Sequence, residues 1–559
     1  MPNPPIGWSA NINTTNALGA HMWILGLNGA PVGWHDAAAC LIDGDGTVVA
    51  MAEEERFSRI KHSPRATAVA AANWCLDYAG ITPDDLDAVT MGWDLPRLFA
   101  RFGGDWGFGN EREFLQRRFG WNFSTSRQPE FLSVPHHISH AASAFWASGY
   151  DEAAVIVNDG NGDDESLSIY EARVGQPLIR RRVWPRTHSL GYLYEAASEA
   201  IGLTFLEAGK TMGLASFGRA RGFEPRQLLR EEGRDFAPPF DLGVEATRDE
   251  ILAEWAKVFA EFGEIPRTTS SAELVNDDIA IAIAWSAQAT IERMLPALVD
   301  EARAITGMDA VCLAGGVALN CSTNGQLEGP IFVPPVPHDA GVALGSAWVL
   351  CPPKTAVAEP MSAYLGPDVG TLSTSLDGWT GAPVSVDDVA DRLIRGEVGA
   401  AATGRMEVGP RALGHRSILA LPTSEAVRDR VNVMKGRELW RPLAPIGLDR
   451  ANGTMWGGST NLQQYMLGAA DVTEQGRTDI AATVHVDGTA RAQVAENVGF
   501  TSDVLREIGR RGLPPVLINT SFNTRGEPIV ASADDALRSA ATIGLDFVVI
   551  GDDLFVPTN

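Results

Sequence analysis

Two stretches of this sequence repeat one plan, and the repetition restricts the fold more than any other feature. From Trp23, WILGLNGAPVGWHDAAACLIDGDGTVVAMAEEERFS reads as a strand, a glycine-containing polar loop, a second strand, a Gly-Asp-Gly turn and a third strand. From Ala153, AAVIVNDGNGDDESLSIYEARVGQPLIRRRVW reads the same way. Alternating apolar residues mark the strands, and the Asp-Gly and Val-Gly-Gln turns mark the hairpins. A strand, a phosphate-facing loop and a hairpin used twice are an internal duplication within an α/β fold.

Helical spacing follows over Asp278–Leu298. It leads to AVCLAGGVALNCSTNGQL, Ala310–Leu327, a strand that breaks at Gly315-Gly316 and resumes as a helix. Gly-Gly after a strand lets backbone lie close to an adenosine or ribose, and a helix N-terminus favours anionic groups; the same pair also makes a plain turn. With 559 residues the chain exceeds a single core and divides into two or three domains. Cys351 to Pro383 is rich in Pro, Gly, Ser and Thr, and a domain boundary is expected there. A helix (DDVADRLIRGE) and a strand (VGAAATG) open the second domain near Val384.

That strand delivers GRMEVGPRALGHRS, Gly404 to Ser417, where Arg405, Arg411, Arg416 and His415 sit among glycines around a rigid Pro410. Arginine presents a planar fork of donors that matches phosphate or carboxylate, and glycine lets backbone N–H groups reach the same oxygens. From Gly404 to Arg441 there are eight Lys/Arg against four acids, in a chain whose net charge is −25. A basic island in an acidic protein points to a focused anion site rather than a nucleic-acid surface. Three further segments, MKGRELWRPLAP, TVHVDGTARAQV and VLINTSFNTRGEPIV, place Arg, Asn or Ser beside glycine or at strand ends, where α/β sheets bind ligands.

VPHHISHAASAFW, Val134–Trp146, holds three of the ten histidines. On a helix His136 and His140 face the same way and both reach one ion, while His137 points elsewhere; no glutamate base of the zincin kind is present. Asp159 and Asp339, each at a strand-to-loop transition, are further candidate ligands. Such donors suit a divalent first-row ion such as iron, manganese or zinc. His35, followed by Asp36, is placed to take a proton from an attacking hydroxyl, although a His-Asp pair is also a common structural contact. Lys61 and Lys210 are the other cleft candidates, the latter between Gly209 and Thr211 and suited to a phosphate oxygen, and either is equally well read as a solvated lysine.

The polar residues 1–20 read as a flexible leader. No signal-type segment and no run near the ~18 apolar residues of a membrane span is seen. Five scattered cysteines without a C-x-x-C pair fit a reducing cytoplasm. The acidic balance argues against polyanionic partners such as tRNA or DNA.

Taken together, LGLNG…HDAAACL, AEEERFSRIKH, HHISHAASAF, GKTMGLASFG, LAGGVALN, VPPVPHDAGVALG, GRMEVGPRALGHRS, RELWRPLAP and NTSFNTRGEPIV resemble the O-carbamoyltransferases of antibiotic and nodulation-factor biosynthesis, nearly end to end. The resemblance implies a duplicated ribonuclease-H-like domain of the actin and sugar-kinase ATPase type over 21–365, a linker over 366–383 and a YrdC-like α/β domain over 384–559. It implies two steps: carbamoyl phosphate and ATP, with Mg2+, form carbamoyladenylate in the C-terminal domain, and a small-molecule hydroxyl takes the carbamoyl group in the N-terminal one. His136, His140, Asp159 and Asp339 then hold the metal, for which Fe2+ is the expectation. His35 accepts the proton, with Lys61 close by. Gly160, Asn161, Lys210, Gly315, Gly316 and Asn320 bind the nucleotide or carbamoyladenylate. Arg411, Arg416, Lys435, Arg437, Arg441, Arg491, Asn519, Ser521, Asn523 and Arg525 bind carbamoyl phosphate and ATP.

The loop before His35 carries no acid, which leaves the partner of this histidine open. The aromatic and Arg-rich stretch Phe99–Gln128 is expected to shape the acceptor pocket. Two other readings stay open, a tRNA threonylcarbamoylation-type enzyme and a non-catalytic actin-like ATP-binding protein. Net charge counts against the first, and the basic second-domain site has no purpose in the second.

Overall fold

Strand order carries the duplication into three dimensions. In the computed structural model, which describes residues 22–31, 35–102, 110–123, 128–232, 235–264, 270–354, 360–373 and 378–558, the first repeat forms β1 (Trp23–Asn28), β2 (Ala38–Asp43) and β3 (Val48–Glu53). With β4 (Ala88–Met91) and β5 (Glu130–Ser133) they make a sheet of order β3-β2-β1-β4-β5. The second repeat forms β6 (Glu152–Gly162), β7 (Glu165–Arg173) and β8 (Ile179–Pro185). After a short ribbon, β9 (Arg230–Glu232) with β10 (Asp235–Ala237), β11 (Val311–Ala314) and β12 (Ile331–Phe332) complete the order β12-β11-β6-β7-β8. In both sheets a three-stranded antiparallel meander carries two parallel strands on its far side, pairing for pairing. This is the duplicated ribonuclease-H-like arrangement expected from the repeat. The leader at 1–20 lies outside the described residues.

The long helix is Asp278–Thr306, capped by the Asp277 carboxylate on the N–H groups of Ile279 and Ala280 and closed by Gly307 at φ 72°. It runs past the expected end at Leu298 and through Pro296, because Leu295, Leu298, Val299 and Ala302 stay buried along one face. Helices His136–Ser148 and Ala340–Leu350 pack backbone to backbone. A Cβ on Gly345 would lie 1.7 Å from the carbonyl oxygen of Ser139. The small residues of HAASA and AGVALGSA thus bring two helix starts together, and with them the ligand candidates.

The C-terminal part is built on a mixed eight-stranded sheet. Its strands are β13 (Trp379–Pro383), β14 (Gly399–Ala402), β15 (Arg416–Ala420), β16 (Ala444–Gly447), β19 (Gln493–Val494), β20 (Val516–Ser521), β21 (Phe547–Ile550) and β22 (Asp553–Pro557). A separate ribbon joins β17 (Ala470–Asp471) to β18 (Thr489–Ala490), and the main order is β13-β22-β21-β14-β15-β20-β16-β19. Ala400, Ile418, Ile518 and Val548 enter one core, while Ala401, Leu419, Leu517 and Val549 enter another, so the sheet is covered on both faces. β13 falls in the stretch read as a linker. As an edge strand paired to β22 it tolerates Gly381 and Pro383, which hide it from pattern reading.

Candidate functional site

His136 opens a helix whose backbone N–H donates to the Asp163 carboxylate, and its Nδ1 lies 3.0 Å from the Gly92 carbonyl oxygen. That carbonyl fixes the proton on Nδ1 and leaves the Nε2 lone pair facing inward. One turn on, His140 Nε2 is 3.1 Å from His136 Nε2. Asp159 Oδ2 lies 3.5 Å from His136 Nε2, and Asp339 Oδ1 lies 3.6 Å from His136 and 3.7 Å from His140. Four buried donors therefore converge within 4.8 Å. A single ion held at ~2.1 Å in tetrahedral geometry sets its ligands roughly 3.4 Å apart, so the spacing fits. Burial pulls the His136 imidazole down, and the carboxylates of Asp159 and Asp339 outweigh it and lift it to about 10, so an ion bound at Nε2 displaces a proton. His137 turns away, its Nδ1 2.7 Å from Ser168 Oγ.

His35 has its acid on the other side from where the sequence left it open. Its Nδ1 lies 2.8 Å from Asp36 Oδ2, while Asp36 Oδ1 is 2.8 Å from His62 Nδ1. Asp36 reaches both rings because it adopts a left-handed φ of 53°. Burial lowers the His35 imidazole, but the Asp36 carboxylate raises it, with Asp339 and Asp159 adding to the rise, to about 9. Lys61 immediately precedes His62, and its charge falls on the seam between the two parts of the chain. Burial, then Arg437, Arg441 and Lys61, hold the Lys435 ammonium well below its usual value.

Several residues expected to bind the nucleotide are engaged by the protein itself. Gly316 N–H donates to Asp159 Oδ1 at 2.9 Å, and a Cβ on Gly315 would strike the Asn158 carbonyl oxygen at 2.3 Å, so the Gly-Gly pair braces a ligand candidate. Asn320 exchanges amide hydrogen bonds with Gln288 at 2.9 and 3.1 Å. Lys210 pairs with Glu207 at 2.7 Å and with Glu438, across the seam, at 2.9 Å. Gly160 accepts from Ser189 Oγ at 2.7 Å, and Asn161 keeps a buried Oδ1 without a partner. In the aromatic stretch, residues 103–109 and 124–127 lie outside the described residues. Phe114, Trp121 and Phe123 are buried in the first core, so they do not line an open acceptor pocket.

The arginines form a second centre. Arg411, Arg437 and Arg491 each have a buried Nε with no partner. Burial, then the charge of Arg491, pushes the Arg411 guanidinium down to about 9. Arg437 is lowered by burial and by Arg441 and Arg491. Against them stands Glu438, held down at about 2 because hydrogen bonds from Ser271 and Lys210 overcome the cost of its burial. Buried like charges without a counter-ion are costly, and a bound anion removes the cost. Lys435 bonds Asn523 Oδ1 at 3.1 Å and the Ser521 carbonyl, and Ser521 Oγ bonds Asn523 Oδ1 at 2.6 Å. Arg525, on the rim, donates to the Gly436 carbonyl at 3.0 Å.

Two of the expected ligand residues also make hydrogen bonds within the protein. Arg416 is fully buried and donates from Nη1 and Nη2 to the carbonyl oxygens of Thr403, Gly404 and Pro367 at 2.7, 3.0 and 3.2 Å, while its buried Nε has no partner. Asn519 donates to the Ala412 carbonyl at 3.0 Å and to Gln493 at 2.7 Å, holding the arginine loop from behind. The residue that organises this loop was missed in the sequence. Glu407 accepts the N–H groups of Leu413, His415 and Arg416 on one oxygen at 2.6, 2.9 and 3.1 Å. Gln493 and Thr501 hold the carbonyls of Leu413 and Gly414 at 2.8 and 2.6 Å. The backbone is pinned on both sides, and the Arg411 side chain is left free. An acid inside a basic, glycine-rich run is the signal that could have found Glu407.

Residues 24–101 and 110–348 match the family "Carbamoyltransferase N-terminus", and residues 390–556 match "Carbamoyltransferase C-terminus". Among curated proteins, Nodulation protein NolNO of Sinorhizobium fredii is 33% identical over 93% of this chain and 78% of its own length. The 3'-hydroxymethylcephem-O-carbamoyltransferase of Amycolatopsis lactamdurans is 28% identical over 93% of this chain and 97% of its own. Among solved structures, full-length HypF in its phosphate- and nucleotide-bound form aligns at 13% identity with a TM-score of 0.34, over 60% of this chain and 56% of that one, too loose a likeness to carry any argument. No helix among the described residues is long and apolar enough to cross a membrane.

Proposed function

Because this chain belongs to the carbamoyltransferase family and is a carbamoyltransferase enzyme, we propose that it is an ATP-dependent O-carbamoyltransferase whose arginine cluster makes carbamoyladenylate and whose His-Asp centre uses it. The observation that carries this reading is the cluster of buried arginines in which Arg411, Arg437, Arg441 and Arg491 repel one another, three of them with a buried Nε that has no partner. Buried guanidiniums that depress one another call for anions, and a site for two phosphorylated substrates supplies several. There carbamoyl phosphate gives up its phosphate to water, the resulting carbamate oxygen attacks the α-phosphorus of ATP, and pyrophosphate leaves. The arginines neutralise the charge that gathers on the phosphates, and Mg2+ accompanies the ATP.

For transfer, an acceptor hydroxyl attacks the carbamoyl carbon and AMP leaves. His35 Nε2 takes the hydroxyl proton, while Asp36 holds the ring through Nδ1 and steadies its charge. His136, His140, Asp159 and Asp339 would hold a divalent ion, Fe2+ by the family resemblance. When bound it supplies a Lewis acid for the carbamoyl carbonyl or the leaving phosphate. The acceptor is a small natural-product alcohol of the kind named by the cephem carbamoyltransferase, and the setting proposed is cytoplasmic. Among the contacts that join the two parts, Lys210 to Glu438 and Trp440 Nε1 to the Ser271 carbonyl at 3.1 Å are compatible with passage of the intermediate along the seam, near Lys61. The test is pyrophosphate release from ATP. It is expected to require carbamoyl phosphate, and release that is indifferent to carbamoyl phosphate would overturn the reading.

A further inference from the structure

The loop that presents Arg411 is held by residues some 350 positions earlier in the chain. Arg56 Nη2 donates to the Gly409 carbonyl oxygen at 2.7 Å, and Gly409 N–H donates to Glu53 Oε2 at 3.2 Å. The same Arg56 fork bonds Glu53 Oε2 through Nε and Nη2 at 3.2 and 2.8 Å. Its remaining nitrogen, Nη1, sits 2.9 Å from Glu55 Oε1. The N–H and the carbonyl of Gly409, in the two peptide groups that flank its Cα, are therefore both gripped by one ion pair. Gly409 accepts this because it has φ 94° and no side chain; a Cβ there would fall 2.2 Å from the Pro335 carbonyl oxygen. Pro410 follows and transmits the fixed orientation rigidly to Arg411.

Glu53 and Arg56 are nearly inaccessible, with side chains 5% and 2% exposed. A buried ion pair is a poor device for stability, since an apolar pair of similar volume does as well or better. It is a good device for holding a residue whose N–H and C=O both need partners. Glu53 also faces His338, whose Nε2 is 3.6 Å from Glu53 Oε1 and which precedes Asp339 in the chain. The grip therefore stands between the two centres, where β3 ends at Glu53 and the short helix Glu55–Ser58 carries Arg56.

We propose that Glu53 and Arg56 are positioning residues for the carbamoyl-phosphate half-reaction: they hold the Gly409 peptide and thereby aim Arg411, although they belong to the opposite part of the chain. This rests on the function proposed above. A displaced arginine weakens anion capture even when the fold survives, because small misplacements at a reacting centre cost one to two orders of magnitude.

The test is a double-mutant cycle on carbamoyl-phosphate-dependent pyrophosphate release, with Arg56→Lys and Glu53→Gln each made alone and in an Arg411→Ala background. Thermal melting of each variant reports folding. Arg56→Lys and Glu53→Gln are expected to raise the KM for carbamoyl phosphate about tenfold or more in the wild-type background. In the Arg411→Ala background they are expected to add less than about twofold, because the residue they serve is gone. Additive losses in folded variants, or an unchanged KM in both single variants, overturn the proposal. If Arg411→Ala itself leaves pyrophosphate release intact, the functional reading fails instead, and the two failures are thereby distinguished. Should Arg56→Lys not fold, Glu53→Gln, which keeps side-chain shape and an oxygen for Gly409 N–H, decides alone.

Discussion

His136 and His140 bring their Nε2 atoms to 3.1 Å of each other inside a fully buried pocket, with two carboxylates facing the same point. A pair of imidazoles so placed is spaced for one shared ion. His136→Ala and the His136→Ala/His140→Ala double variant are expected to lose a bound divalent ion and to keep the fold, since few core atoms are removed. Elemental analysis after purification checks this. Unchanged metal content in the double variant contradicts the assignment.

Helix contact sets that geometry, so it can be disturbed from a distance. Gly345→Ala places a Cβ against the Ser139 backbone, where no flexible side chain can yield. It is expected to cost about 2–3 kcal/mol or more in unfolding free energy and to reduce metal content, because Asp339 and the His136 helix are pushed apart. Chemical denaturation with metal analysis on the same sample reads both effects.

The pairing of His35 with Asp36 gives a pH dependence of known sign. The folded pKa of His35 is raised to about 9, so the pairing contributes stability that is fully present below about 6.5 and is lost as pH rises through about 9. Wild type is expected to melt above Asp36→Asn at pH 6, with the gap shrinking toward pH 10. The basic form needed for proton removal grows over the same range, so the rising limb of kcat/KM is expected to move to lower pH in Asp36→Asn. A limb that stays in place contradicts the role given to His35.

Arg411→Ala is expected to reduce carbamoyl-phosphate-dependent pyrophosphate formation ~10²-fold or more, as loss of one charged donor from a preorganised anion site does. A few-fold effect in a steady-state assay would place Arg411 outside the site.

The duplication was legible because period-two alternation and Gly/Asp turns are local signals, and they located β1 to β3 and β6 to β8. The convergence of His136 and His140 with Asp159 and Asp339 was legible only in part. The i,i+4 spacing puts two histidines on one face, but the carboxylates join them through helix packing that no local pattern reports. Arg416 shows the converse limit. In sequence it looks like its neighbour Arg411, yet strand alternation turns it onto the carbonyls of Thr403, Gly404 and Pro367. Lys210 reads in sequence as a phosphate ligand or a solvated lysine, and only the fold brings Glu438 to within 2.9 Å of it. Contacts between distant segments decide whether a charged side chain is available.

The division of labour between the two centres is the central claim, and supplying the intermediate tests it most directly. Chemically made carbamoyladenylate is added to Arg411→Ala and to His35→Ala, and carbamoylated acceptor is followed by mass spectrometry against a panel of natural-product alcohols that includes 3'-hydroxymethylcephem. The account predicts that the intermediate restores acceptor carbamoylation by Arg411→Ala, which cannot make it, and leaves His35→Ala inactive although that variant still forms pyrophosphate from ATP and carbamoyl phosphate. Restoration of both variants, or of neither, would contradict it.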